Sequence, residues 1–457
     1  MSFSAYPEYK DSGVEWLGEV PIHWVLTPIK HLASLNPRKS GFDGDTQQLC
    51  SFVPMEKLKT GVVQLDEERC IEEVIGGYTY FEDGDVLQAK VTPCFENKNV
   101  AIAKGLTNGI GFGSSEINVL RPYLGVSPGY LYYRVQEDTY MSFCTSSMIG
   151  AGGLKRVPTE VINNFTVAAP EFFEQTQIAH FLDYETARID ALIEEQQRLI
   201  ELLKEKRQAV ISHAVTKGLD PAVPMKDSGA EWLGEVPSHW TATKLKFITN
   251  HVVDCPHETP IYDPDGNYLV IRTADLNQGI LKSEQMYRLE HDEYIHRTRR
   301  MTLEKNDIVY SREGERWGHA ALIPESNLYA LGQRMMQLRV SNSICPNFFM
   351  YQLNSLTTYR QGEVDTVGAT APHVNISTVI NYCVMRPPKD EQVQISQYLS
   401  KTLSSLDCLI GESLEMKELL QERRSALISA AVTGKIDVRG WQPPASATSP
   451  ELAQEAV

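Results

Sequence analysis

Several basic and amide side chains have the types and spacing to read nucleic-acid bases. Lys90, Asn97, Lys98 and Asn99 follow a strand-like run, and Lys155 and Arg156 follow the glycine-rich segment MIGAGG. Further along, Arg297, Arg299 and Arg300 form one cluster, and Arg312, Arg316 and Trp317 another. Residues 368–375 (GATAPHVN), with His373 and Asn375, occupy the place that GAGGLKRV holds earlier. Arg and Lys can bond guanine in the major groove in bidentate fashion, and Asn and Gln can do so with adenine. Taken singly, each of these side chains reads first as a solvated charge or a phosphate contact, and base readout is the alternative.

Catalytic patterns are missing by comparison. The chain contains no G-x-x-x-x-G-K-[ST], no H-E-x-x-H and no G-x-S-x-G, so nucleotide hydrolysis, zinc proteolysis and acyl transfer have no support. The Asn/Asp-Pro-Pro-aromatic motif of amino-methyltransferases is absent too. NGIGFGSS (108–115) holds G-x-G-x-G without a following helical pattern and reads as a turn between strands. Asp83/Asp85 and Glu313/Glu315 lack metal-ligand companions and read as solvated loop charges. No catalytic residue and no metal site is expected.

The elements that must carry the basic clusters come in two copies. KDSGVEWLGEVPIHW (10–24) returns as KDSGAEWLGEVPSHW (226–240), with thirteen of fifteen positions identical. Residues 174–220 and 391–437 share 21 of 47 positions at nearly the same offset. Between these constant parts the sequences diverge, and only a faint skeleton of short apolar runs and turn signals persists. Each half is therefore constant, variable, constant. The variable blocks read as mixed α/β, with helices at 128–143 and 346–360.

After Pro170 and Pro388 come long helices. Ile178, Leu182, Ile189, Leu192, Leu199, Leu203 and Val210 lie on one alternating four–three stripe, and Ile395, Leu399, Leu406, Leu409, Met416, Leu420 and Leu427 on another. Such stripes form a heptad seam. Matching seams in two copies predict that the helices pack antiparallel on each other. Trp16, Trp24, Trp232 and Trp240 are four of the six tryptophans. They either cap the adjoining domains or form a partner-docking surface present twice.

The 457 residues carry a net charge of −16, which would discourage nucleic acid as a partner. The acid, however, is concentrated outside the variable blocks: 30–170 carry −3 and 241–388 only −1, against −6 for 171–240. Eight cysteines without a C-x-x-C pair suit reduced thiols in a cytoplasm. No apolar run is long enough for a membrane span, and MSFSAYPEYKDSG lacks the layout of a signal peptide.

The duplicated KDSG[VA]EWLGEVPxHW, the helix openings at 170–178 and 388–395, and the repeat ends AVTKGLD and AVTGKID resemble the specificity subunit of type I restriction–modification systems. The resemblance implies two target-recognition domains, each reading half of a split double-stranded DNA site, and a helix pair that sets the gap. It also implies constant regions that dock two methyltransferase subunits, with two restriction subunits completing the complex. S-adenosylmethionine, ATP and magnesium would belong to those partners, leaving this chain non-catalytic and without a cofactor. On this basis the chain divides into an N-terminal motif (1–29), recognition domain 1 (30–170), a central helix (171–215), the repeated motif (216–240), recognition domain 2 (241–388), a distal helix (389–437) and a disordered tail (438–457). The fold class is α+β, a pseudo-two-fold tandem repeat. A methylation-only system and a coiled-coil adaptor that never reads DNA remain alternatives.

Overall fold

A computed structural model describes residues 4–39, 44–151, 153–230, 232–364 and 372–444. The chain forms two units. One comprises Met1–Gln196 with Glu415–Val457, the other Gln197–Leu414. Each takes part of both long helices.

In the first unit, a four-stranded antiparallel sheet runs in the order 100–102, 86–89, 117–122, 33–35. A second sheet runs 68–70, 49–53, 110–113, 79–82, with 110–113 parallel to 49–53. The second unit repeats this arrangement. Its four-stranded sheet runs 249–254, 335–340, 308–311, 320–322. Its other sheet runs 287–289, 268–271, 329–331, again with one parallel pair. The divergent blocks thus share one topology. The first unit has an additional edge strand, Thr79–Glu82, and the helix after the strand 68–70, Ile71–Val74, is shorter than its counterpart after 287–289, His291–Thr298.

The constant motif folds alike in both copies. Tyr9–Asp11 pairs with Glu19–Pro21, and Met225–Asp227 pairs with Glu235–Pro237 in the same register. Each domain is then closed by a two-stranded ribbon of its entering and leaving chain: Val25–Pro28 with Thr166–Ala169, and Thr241–Lys244 with Cys383–Arg386.

Three sequence expectations are modified. Ile110–Gly113 is a strand, not a turn. Its glycines allow a close approach, because a Cβ on Gly111 would lie 2.1 Å from the Phe81 ring. The expected single helices are each two short ones, Pro128–Arg134 and Asp138–Ser146, then Pro346–Leu353 and Leu356–Glu363. Glu137 and Ser355 start the second member of each pair by accepting backbone N–H bonds, as N-cap side chains do. The first part of the expected tail is packed through Val438, which is buried, and Trp441, which lies against Phe181 and Tyr184, while 442–444 are exposed. The remainder of the expected tail, 445–457, lies outside the described residues.

The long helices are Phe172–Lys217 and Lys389–Val432. The first has 46 residues, about 69 Å at 1.5 Å per residue. Within the first unit Asp190 binds Arg424 at 2.7 Å, and Gln177 reaches the carbonyls of Val438 and Trp441. Rising numbers on one segment meet falling numbers on the other, so the packing is antiparallel. Ile178, Leu182, Ile189, Ile395, Leu399 and Leu406 are buried. Leu203, Val210, Leu420 and Leu427 are partly buried. Leu192, Leu199, Leu409 and Met416, by contrast, are 41–48% exposed. Ile200 and Arg207 are buried beside them. A straight helix drifts about 20° per heptad from a strict 3.5 repeat, which moves the buried stripe one position along. Among the described residues no helix is long and apolar enough to cross a membrane.

Candidate nucleic-acid interface

In each recognition domain a strand end, a turn and a returning segment are tied by the same backbone bonds. In the first, Lys90 N–H donates to the Glu116 carbonyl, Val157 N–H to that of Lys90, and Thr92 N–H to that of Lys155, all at 3.0 Å. In the second, Arg312 donates to Arg334, Val374 to Arg312 and Gly314 to Pro372, again at 3.0 Å. Val91 bridges Arg156 as Glu313 bridges His373. The equivalent positions are therefore Lys90 and Arg312, Glu116 and Arg334, Lys155 and Pro372, and Arg156 and His373. The backbone frame is constant and the side chains on it are not.

The first cluster sits on an exposed hairpin, Ile149–Ala151 with Leu154–Arg156. Lys155 projects from it. Arg156 forks onto Glu116 through Nε and Nη2 at 3.0 and 2.7 Å. That guanidinium holds the Glu116 carboxyl below its ordinary value. Both remain partly exposed, so the pair contributes little to stability, at most about 1 kcal/mol, and can open to another anion.

The second cluster has a more rigid base. Arg312 is 3% exposed and donates to Asp254 Oδ1 at 2.8 Å and to the Val374 carbonyl. Arg297, also buried, donates to the carbonyls of Leu331, Glu258 and Pro256. These two arginines are spent on holding loops. The exposed rim consists of His257, Arg299, Arg300 and Arg334, with His373 half-buried among them. Arg300 donates to the Asp254 carbonyl, and Arg334 pairs with Glu313 at 3.3 Å.

Other candidates lie elsewhere. Lys98 reaches Asp138 at 2.7 Å and Ser425 on the second long helix at 3.5 Å, and so faces the helices. The Asn97 carbonyl accepts from Thr60, and Asn99 pairs its backbone with Ala89. Arg316 donates to the carbonyls of Ala274 and Leu276, while Trp317 is buried and stacks on Tyr359 at 4.1 Å. Asn375 opens the short helix Ile376–Val379. Sequence reasoning missed Glu116, Arg334 and His257. Setting GFGSSEINVL over YALGQRMMQLRV would have placed Glu116 opposite Arg334.

The tryptophans divide by role. Trp24 and Trp240 are fully buried and donate to Glu174 and Glu391, each at 3.0 Å. Trp16 and Trp232 are 38% and 41% exposed. Trp16 stacks on Phe165 and donates to the Thr166 carbonyl.

Residues 255–414 match the family model of the type I restriction modification DNA specificity domain. The chain is 36% identical over 163 residues to the EcoEI specificity subunit of Escherichia coli. That match spans 35% of this chain and only 27% of the relative. A specificity subunit of Methanocaldococcus jannaschii, MjaVIII, is 24% identical over 68% of this chain and 70% of its own. Among solved structures, a chain of a type I restriction–modification system aligns with TM-score 0.70 at 16% identity, covering 90% of this chain and 98% of that one. The HsdS subunit from Thermoanaerobacter tengcongensis aligns with TM-score 0.51 over 91% of this chain. The fold is that of these subunits, and the resemblance found in the duplicated frame is the one the relatives bear out.

Proposed function

We propose that this chain is the DNA-recognition subunit of a type I restriction–modification complex and is itself non-catalytic. Each recognition domain reads one half of a split, asymmetric site in the major groove, and the helix pair fixes the gap. The constant segments dock methyltransferase subunits, and restriction subunits join through them. S-adenosylmethionine, ATP and magnesium act on those partners, in the cytoplasm.

The observation that carries this reading is the pair of loop clusters. An identical backbone frame with different side chains is what two readers of different base sequences require. One good bidentate contact discriminates by about 1–3 kcal/mol, so a few per domain suffice to select a site. The chain's net charge of −16 leaves much of the phosphate neutralisation to partners.

The test is a map of modified bases. The chain is co-expressed with its methyltransferase subunit in a host lacking adenine methylation, and the genome is read by long-read sequencing. A split motif with methyladenine in both halves, dependent on this chain, is expected. No new methylation from a demonstrably active methyltransferase complex would overturn the reading.

A further inference from the structure

The two units carry the same cross-helix ion pair, and in the second it continues by hydrogen bonds to a turn of the recognition domain. Arg207 binds Asp407 at 2.7 Å, and Arg424 binds Asp190 at 2.7 Å. These four residues are related by the repeat. Arg424 donates from Nε and Nη2 to Asp190 and lies near Tyr132 and Tyr133 of the first recognition domain. Arg207 also donates from Nη1 to Gln278 Oε1 at 3.0 Å and from Nη2 to the Gln278 carbonyl at 3.2 Å.

Gln278 sits at the tip of a tight hairpin, Leu276–Asn277 with Ile280–Leu281, in the second recognition domain. The matching turn of the first domain, Thr60–Gly61, is held instead by Thr60 on the carbonyls of Asn97 and Lys98.

The remaining attachments of the second domain to its helices lie further along. Phe348 and Met385 pack with Ile211, Val215, Ile395 and Leu399, and Cys345 N–H donates to Gln392. Nearer the grip, Gln208 and Ser212 bond the backbone at Asn354 and Leu356. A cleft of about 660 Å³, lined by Lys204, Gln208, His319, Tyr359 and Asp407, flanks the Arg207 contact. The domain is therefore anchored at its base, and the Arg207 grip holds an outlying turn beside open space.

We infer that Arg207 is a specificity-determining positioning residue: by gripping the Gln278 turn it fixes the angle of the second recognition domain on the helices, and so the gap tolerated between half-sites. The guanidinium suits this task because its planar fork reaches an acid and two further acceptors at once. Without it the domain rocks about its base, and a displacement of about 3.4 Å is one base-pair step. The inference rests on the proposed function.

The experiment is the methylation map of the full complex with wild type, Arg207→Gln, Gln278→Gly and Arg424→Gln. Gln278 already has positive φ (34°), so glycine removes the side-chain acceptor without backbone strain and leaves the ion pair intact. Arg207→Gln and Gln278→Gly are expected to keep both half-site sequences. Methylation of sites with a gap one base pair longer or shorter is expected to rise about ten-fold relative to the cognate gap, in keeping with the loss of one charged hydrogen-bond set. Arg424→Gln, which loses the repeat-related cross-helix pair and no hydrogen bond to a recognition-domain turn, keeps the wild-type gap. Unchanged gap selectivity in Gln278→Gly overturns the inference, as does equal relaxation in Arg424→Gln. A wild type with no split motif overturns the proposed function itself, and this inference with it.

Discussion

Glu174 and Glu391 are repeat-related, yet their replacement by alanine should have unequal cost. Glu174 has a side chain 8% exposed and accepts from His23 Nε2 at 2.8 Å. It also accepts from the Tyr6 hydroxyl at 2.7 Å and Trp24 Nε1 at 3.0 Å. Burial, and then the hydrogen bond to Glu174, push the Tyr6 hydroxyl well above its ordinary value. Glu174→Ala strands a buried hydroxyl and a buried indole N–H. Each orphaned group costs about 1–3 kcal/mol, and breaking such a buried set costs about 3–5 kcal/mol. Glu391 is 26% exposed and, among the described residues, accepts from His239 and Trp240 alone, with His239 itself 43% exposed. Water can replace much of that, so about 1–2 kcal/mol is expected. The assay is urea unfolding followed by tryptophan fluorescence, with amide exchange to assign each transition to a unit, because two units need not unfold together. The larger loss should fall on the first unit in Glu174→Ala. A loss in Glu391→Ala as large as that in Glu174→Ala would refute the reasoning.

Two other perturbations follow from the same geometry. Gly434→Ala should destabilise by about 1–3 kcal/mol more than Gly218→Ala in thermal unfolding: both glycines have positive φ, but a Cβ at Gly434 would lie 2.4 Å from Pro21, whereas at Gly218 the nearest atom is 3.3 Å away. His319 is held below its ordinary value of 6.5 by burial and then by Arg316. The unfolded chain takes up that proton first on acidification, so stability is present above pH 6.5 and declines as pH falls below it. His319→Gln should flatten that decline in denaturation curves taken between pH 7 and 5, and an unchanged slope would count against it.

The sequence made the duplicated frame legible because its two copies sit on one hairpin and one helix pair, where each position keeps its neighbours. The seam was less legible. Apolarity points to Leu192, Leu199, Leu409 and Met416, but helical drift buries Ile200 and Arg207 instead. An arginine there is acceptable only because Asp407 and Gln278 lie within reach, and that contact spans 200 residues. The interface was visible as isolated basic residues and not as a site. Lys155 and Arg156 are near neighbours of Lys90 only through the knot at Thr92 and Val157, and Arg297 and Arg312 look like surface charges until their carbonyl partners appear.

The most direct test of two independent readers is the motif recovered when each cluster is altered separately. Lys155→Ala with Arg156→Ala should leave one half of the methylated motif intact and make the other degenerate. Arg334→Ala should do the reverse. Degeneracy in both halves from either change, or in neither, would contradict the account.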